Sequence, residues 1–463
     1  MRSLETIIIQ FNENDYMSTF ASILIPIIFV ITLLLLIFER THKTLAAMFG
    51  AGLSLLLAIS PGSGVDGNAI IPDIEHLLEI VEVDLLLIII GITLMVAVAR
   101  NTGIFDYIAI VILKKSGSNP YTLLIALSLL TMLFSAFLDA YMAILLVGSV
   151  TLVGCEALEI NPKPYIIAEA IFGNLGGTMT RIASPPNLII GGHFDIDFIT
   201  FLLLTAPFVL ISSIITLFLW SRLFRNEFDK GISKSNYKEV LLIDENAVIR
   251  DPRGFKIAAI VLIITIIGFA ISSFLPLHLE LGYIAMAGGF LMVGLVGEDV
   301  EHALEKVEWP IVFFLIGLLI IVGIAERLEL LELLAAPIEV LINTNQLGGI
   351  IGLTWINALA SAVLDNVPVA SIMTSIMDTL IEHNQELSFN SLLVAVVIGT
   401  NLGGNITPIG SASTVQAISI LKRSEKPEER VSFIEFMKLG SFVTFFQLVL
   451  GSLYLLLFWL LKI

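Results

Sequence analysis

The chain has a single cysteine, Cys155, among its 463 residues. That excludes a disulfide framework and any metal site built on thiolates. Charge is scarce too. Only 14% of the residues are Asp, Glu, Lys or Arg, against about 25% in a soluble domain. The six histidines (His42, His76, His193, His278, His302 and His383) are scattered, with none at metal-ligand spacing. The net charge of −17 comes from acids clustered between apolar segments, and no basic stripe is left for nucleic acid. The first nineteen residues read as polar and acidic, without the basic-then-apolar order of a cleaved signal peptide.

Apolar sequence is what the chain has in quantity. It makes up 57% of the residues, mean hydropathy is +0.97, and the apolar runs approach the roughly 20 residues that span a bilayer core. The expectation is an all-α polytopic membrane protein. Apolar segments fall at 20–38, 44–60, 84–100, 121–137, 140–155, 164–180, 185–192 and 198–221, and again at 257–275, 281–297, 309–325, 347–363, 367–381, 391–406, 409–421 and 436–461. Between the two sets lies a polar, Lys- and Arg-containing stretch, 222–256.

The two sets repeat. VEVDLLLIIIGITLMVAVA at 81–99 resembles VEWPIVFFLIGLLIIVGIA at 307–325, SAFLDAYMAILL at 135–146 resembles SAVLDNVPVASI at 361–372, and GNLGGTMTRIAS at 173–184 resembles TNLGGNITPIGS at 400–411. The register is nearly constant: Gly91 to Gly317 is 226, Asp139 to Asp365 is 226, and Gly177 to Gly404 is 227. Internal repeats of this kind mark secondary transporters. The expected domains are a first repeat 1–221 (scaffold spans 20–100, hairpin 121–155, broken helix 164–192, span 198–221), a linker 222–256, and a second repeat 257–463 (scaffold spans 257–325, hairpin 347–383, broken helix 391–421, span 436–461).

Basic residues orient the repeats. If 121–155 and 347–383 are re-entrant hairpins, each half has five true spans and the halves are inverted. Arg40, Lys43, Lys114, Lys115, Lys163, the linker, and Lys422, Arg423, Lys426, Arg430 and Lys438 then all face the cytoplasm. Of 24 Lys and Arg, only Arg2, Arg327 and Lys462 fall outside, with Arg181 inside the membrane. Both termini are expected outside, in the plasma membrane.

A charge in hydrocarbon costs roughly 3 kcal/mol on an insertion scale, so the few charges within spans are candidates for chemistry: Asp139, Asp365, Glu169 and Arg181. Asp139 and Asp365 hold equivalent hairpin tips. There each could bind a cation, a proton or substrate, or cap the second arm. Asn366 follows Asp365, whereas Ala140 follows Asp139. The second constellation is Asn174, Gly176, Gly177 and Thr178 with Ser184 and Asn187, paired with Asn401, Gly403, Asn405, Thr407, Ser411, Ser413 and Thr414. Gly-Gly, Pro185-Pro186 and Pro408 weaken these helices near mid-membrane. A broken helix exposes carbonyls suited to Na⁺ and N–H groups suited to anions. The alternative is a small-residue helix crossing. Arg181 could pair with Asp139, grip an anion, or snorkel to an interface. Glu169, one to two turns inside its helix, is expected to reach the interface rather than to relay protons.

The motifs SAFLDAYMAILLVG, IAEAIFGNLGGTMTRIASPPNLIIGG, SAVLDNVPVASIM and GTNLGGNITPIGSASTVQA resemble the ArsB/NhaD permease family of the ion transporter superfamily, in its P-protein-like and citrate-transporter-like branches. The resemblance is strongest at 81–201 and 307–438. It implies a homodimer with a fixed scaffold and a mobile transport subdomain bearing both hairpins, working as an elevator on arsenite, Na⁺ against H⁺, or organic anions. The chain departs from the family pattern at several points. Asp139-Ala140 stands where Asp-Asn is usual, Ala183-Ser184 precedes Pro185-Pro186-Asn187 where Gly-Asp is usual, Arg181 replaces a small residue, and Thr414 replaces an Asn. The Ser-Asn-Thr signature of dicarboxylate relatives is absent. One acid lost and one base gained at the first break make a change of +2, which favours an anion there.

The leading expectation is an ion-coupled carrier, not an enzyme, for a small anionic or polar solute. It would have no cofactor beyond a bound Na⁺, and its partners would be the solute, the bilayer and a second copy. Substrate would be handled by Asp139, Asn174, Gly176, Gly177, Thr178, Arg181, Asn187, Asn366 and Thr407. Coupling would fall to Asp365, Asn401, Gly403, Asn405, Ser411, Ser413 and Thr414. A Na⁺/H⁺ antiporter is the alternative, which the two tip acids support. An intramembrane aspartyl protease with an Asp139–Asp365 dyad lacks its Tyr-Asp and Gly-x-Gly-Asp contexts.

Overall fold

The computed structural model describes residues 21–38, 41–60, 63, 68–275, 279–384, 386–424 and 426–462. The polar N-terminal stretch with its expected outside placement, Arg2, Arg40 and His278 lie outside the described residues. Among the described residues there is no strand.

The first half runs α1 (Ala21–Phe38), α2 (Lys43–Ala58), α3 (Ile74–Val81), α4 (Val83–Thr102), α5 (Ile104–Lys115), α6 (Pro120–Leu138), α7 (Ala140–Ala157), α8 (Lys163–Gly177), α9 (Pro185–His193) and α10 (Phe198–Leu223). The linker holds α11 (Arg225–Phe228) and α12 (Lys234–Leu241). The second half runs α13 (Pro252–Ser272), α14 (Leu281–Val296), α15 (Val300–Glu305), α16 (Trp309–Arg327), α17 (Glu332–Thr344), α18 (Gln346–Val363), α19 (Asn366–His383), α20 (Phe389–Gly403), α21 (Ala412–Lys422) and α22 (Phe433–Leu461). Nine helices among the described residues are long and apolar enough to cross a bilayer. Both expected hairpins are helix–turn–helix units, α6–α7 and α18–α19. Four helices of the two halves lie outside the expected apolar segments, α3, α5, α15 and α17, and of these α5 and α17 hold matching places just before the hairpins.

Helix starts follow local chemistry. Asn119 caps α6 ahead of Pro120 by accepting from Tyr121 N. Asp197 caps α10 by accepting from Ile199 N and Thr200 N. Ser432 and Glu435 form a capping box on α22.

The described residues form two compact units, one within 21–86, 308–349 and 371–387, the other within 87–307, 350–370 and 388–462. In the first unit, α16 lies on α2 with Gly317 facing the Ala47 backbone; a Cβ on Gly317 would sit 2.7 Å from Ala47 C. In the second, Gly91 of α4 faces Ala285 of α14, with the corresponding distance 2.3 Å. Small residues let helix backbones touch where lipid supplies no hydrophobic drive. Thr32 Oγ1 lies against Gly50 in the first unit and Thr265 Oγ1 against Gly288 in the second, so the same device serves both halves.

The centre of the second unit is α8, with α6, α7, α10, α20 and α21 packed around it. Every α8 residue from Pro164 to Gly177 is buried. The linker is tied to this unit. Lys114 Nζ donates to the Ile243 carbonyl at 2.9 Å and pairs with Glu245, and Tyr237 OH donates to the Lys114 carbonyl.

Candidate functional site

Two helices are interrupted in the second unit, and the interruptions share their chemistry. α8 stops at Gly177 and α9 begins at Pro185; α20 stops at Gly403 and α21 begins at Ala412. The Gly pairs carry little helix propensity, and Pro185 and Pro408 lack a donor. The last carbonyls of a helix have no intrahelical partner, and here side chains fill the gap. Asn187 Nδ2 donates to the Gly177 carbonyl at 2.7 Å and the Thr180 carbonyl at 2.8 Å, and Ser184 Oγ to the Gly177 carbonyl at 3.2 Å. On the other side Ser411 caps α21, accepting from Thr414 N.

The two interruptions meet in a buried network of neutral side chains, made of two hydrogen-bonded clusters that each cross between the halves. Asn174 Nδ2 donates to Asn405 Oδ1 at 2.8 Å and to Ser411 Oγ at 2.9 Å, and Ser413 Oγ donates to Asn174 Oδ1 at 2.7 Å. Asn401 Nδ2 donates to Asn187 Oδ1 at 2.8 Å, and Asn401 Oδ1 accepts from Ser184 Oγ at 3.1 Å. Asn187 and Asn405 are fully buried. Asn405 Nδ2 has no hydrogen-bond partner among the described residues. An unmade donor in such a place costs about 1–3 kcal/mol, so an acceptor brought to it would be held.

Matching braces tie the hairpins to these interruptions. Ser135 Oγ donates to the Gly173 carbonyl at 2.6 Å, and Ser361 Oγ to the Thr400 carbonyl at 2.6 Å. Thr180 Oγ1 donates to the Ala136 carbonyl at 2.6 Å, and Thr407 Oγ1 to the Ala362 carbonyl at 2.6 Å. Each acceptor of the Thr pair is among the last carbonyls of a hairpin's first arm. Gly176 and Gly403 permit the approach: a Cβ would meet Met132 O at 2.3 Å on one and Ala358 O at 2.4 Å on the other. Ser135, Ser361 and Thr180 were absent from the expected site, although all three stand inside the repeated motifs.

The tips themselves are alike in role and unlike in strain. Asp139 accepts from Tyr141 N at 2.6 Å and Asp365 from Val367 N at 3.2 Å, so each caps its second arm. Asp139 has φ +87° and ψ 146°, a region that costs a non-glycine residue about 1–3 kcal/mol. Both tips are half-buried. Asn366, beside it, is satisfied with its amide nitrogen on the Gly410 carbonyl at 3.0 Å and the Thr400 carbonyl at 3.2 Å, next to Ser361.

Two residues, Thr178 and Glu169, are placed differently from the sequence reading, and one of the three readings of Arg181 drops out. Arg181 is 4% exposed. Its Nη1 donates to the Ile196 carbonyl at 2.8 Å and its aliphatic chain lies on Gly191, so it does not snorkel to an interface. Thr178 bonds back to the Asn174 carbonyl at 3.0 Å within its own helical turn and does not join the network. Glu169 does not reach an interface either: it is fully buried, because helices surround α8 on every side.

The sequence matches the family model described as Citrate transporter, over 33–388 and 350–463. A 46 kDa membrane protein of Mycobacterium leprae is 29% identical over 436 residues, covering 94% of this chain and 98% of the relative. An uncharacterized transporter of Mycobacterium tuberculosis is 30% identical over 437 residues with the same coverage. The P protein of Mus musculus is 29% identical over 91% of this chain, which spans 58% of that longer protein. In fold, the chain is similar to the Alcanivorax borkumensis YdaH transporter, whose crystal structure shows an unusual topology. The TM-score is 0.58 at 14% identity, over 90% of this chain and 98% of that one. The helical membrane architecture, the paired interruptions and the family match over most of the sequence agree: this chain belongs to the citrate transporter family.

Proposed function

We propose that the protein is an ion-coupled secondary carrier for a small anionic or polar solute. Its two halves would be inverted in the membrane, and it would work as a homodimeric elevator. The observation that carries this reading is the buried network joining the two helix interruptions, with the unused donor of Asn405 inside it. Interrupted helices in paired positions are how carriers expose polar backbone at mid-membrane without exposing it to lipid. Arg181, buried at the first interruption, adds a positive charge beside the neutral side chains of the network. That favours an anionic solute, and the family description makes citrate the first candidate.

In this reading Asp139, Asn174, Gly176, Gly177, Thr178, Arg181, Asn187, Asn366 and Thr407 handle solute. Asp365, Asn401, Gly403, Asn405, Ser411, Ser413 and Thr414 handle the coupling ion, Na⁺ or H⁺. The test is uptake by purified protein in proteoliposomes, with citrate and arsenite as solutes and imposed Na⁺, Li⁺ or pH gradients. Asp365→Asn should abolish gradient-driven accumulation while some solute exchange persists, and Arg181→Ala should weaken solute uptake. Cation flux with no dependence on any solute would favour a Na⁺/H⁺ antiporter and sink the anion reading.

A further inference from the structure

One ionisable group at the heart of the second unit has no part in that site. Glu169 is fully buried midway along α8. Its Oε1 lies 2.5 Å from Thr151 Oγ1 of α7, and its Oε2 has no hydrogen-bond partner among the described residues. The helices packed on α8 carry Tyr121 on α6, Tyr141, Cys155 and Glu156 on α7, Arg222 on α10 and Lys422 on α21, and α20 carries no ionisable residue. Of these, Cys155 is buried as well.

An ionised carboxylate at such depth costs roughly 3 kcal/mol even when it can relax, and one oxygen here lacks a donor altogether. A bound proton removes that cost. Thr151 suits a group that gains and loses a proton, because a hydroxyl can donate to the carboxylate or accept from the acid. The same contact therefore serves both states. Gly148 keeps the space beside Oε2 clear: a Cβ there would stand 3.3 Å from Oε2 and 3.0 Å from Ile420 Cδ1 of α21. Asn174 of the network lies five residues further along α8, about 7.5 Å along the axis. The tips Asp139 and Asp365 are only half-buried.

We propose that Glu169 is a proton-binding site of the carrier. It holds its proton in the conformation described here and gives it up when the junction of α7, α8 and α21 admits water. The inference rests on the carrier reading above and adds to it the place where the proton sits.

Infrared difference spectra of the protein in lipid, recorded as pH is changed, report a protonated carboxyl through its carbonyl stretch without any solute. The unaltered protein should show a titrating carboxyl band that is lost in Glu169→Gln and shifted in Thr151→Val. No such band, or one unchanged in both variants, overturns the proposal. If Glu169→Gln does not fold, the shift in Thr151→Val decides alone. Citrate uptake driven by a pH gradient in proteoliposomes is the second readout, and Glu169→Gln should lose the gradient-driven part. If the unaltered protein takes up no citrate while the band behaves as expected, the solute reading fails and the Glu169 assignment stands. If Glu169→Gln keeps the full pH-gradient dependence of citrate uptake, the assignment is wrong and the carrier reading survives.

Discussion

Adding one methyl group at Gly403 tests whether the hairpins are seated on the interrupted helices as described. A Cβ there would stand 2.4 Å from the Ala358 carbonyl oxygen and 2.7 Å from Ser361 Cβ. Carbon–oxygen contacts even in weak hydrogen bonds are about 3.3–3.6 Å, so α18 and α20 must separate by roughly 1 Å. The opposing atoms are backbone and cannot rotate away. Overpacking of this kind costs about 1–3 kcal/mol, and alanine's helix advantage over glycine returns only about 0.5–1 kcal/mol. The net loss in Gly403→Ala should be about 2 kcal/mol, near the upper end because Ser361 is displaced as well. Gly176→Ala, with its Cβ 2.3 Å from Met132 O, should lose about the same. Gly294→Ala is the control: nothing lies within 4 Å of a Cβ at that position, so the change should be neutral or slightly stabilising. Thermal unfolding in a fixed detergent reads the difference, a fall of about 5 °C in both variants at ~2–4 °C per kcal/mol. If either variant melts with Gly294→Ala, the close approach is not what seats that hairpin.

Thr180→Val and Thr407→Val should each cost about 1–2 kcal/mol, since each strips the side-chain donor from a carbonyl at the end of a hairpin arm; paired melting curves that differ widely would argue against equivalent braces. The Lys114–Glu245 contact should make the linker pH-sensitive. Lys114 holds the Glu245 carboxyl below its ordinary value of 4.5, so the tie is complete above that value and is lost as pH falls through the lower, folded one. Limited proteolysis of 222–256 should accelerate at acid pH in the unaltered protein, and should already be fast near neutrality in Lys114→Ala. Cysteines introduced at Ser235 and Glu75, both exposed, should label from opposite sides of the membrane, against a low background from buried Cys155; labelling from one side would end the inverted-repeat reading.

The spans and both hairpins were legible in the sequence because apolar runs near bilayer length and a constant 226–227 spacing are properties of the linear chain. α5 and α17 were not. Each is a helix of 12–13 residues ending in polar sequence, too short for a pattern that asks whether a run can cross a membrane. The membership of the polar network was legible from residue type: Asn, Ser and Thr beside Gly-Gly and Pro are costly in hydrocarbon and need partners. The partners themselves were not, since Asn174 meets Asn405 and Ser411 across more than 230 residues and nothing local encodes that pairing. Glu169 was misplaced for a similar reason. Distance along a helix says how far a carboxyl must reach to find water, but only the packing of five neighbours says that no route is open.

The equivalences and differences between the two interruptions divide cleanly. The groups that hold backbone to backbone are duplicated: Ser135 and Ser361, Thr180 and Thr407, Gly176 and Gly403, with matching distances. The groups that could face a ligand are not. Asn405 stands where the first half has Thr178, Thr414 where it has Asn187, Pro408 where it has Arg181, and Asn366 where it has Ala140. Thr178 turns back onto its own helix while Asn405 reaches across and leaves a donor unused. The backbone of Asp139 is strained, and Asp365 is not among the residues with positive φ. A purely architectural cluster would gain nothing by differing at these positions while keeping every brace. A site that binds a charged solute on one side and its coupling ion on the other requires that difference, because the two ligands need opposite electrostatics within one symmetric frame.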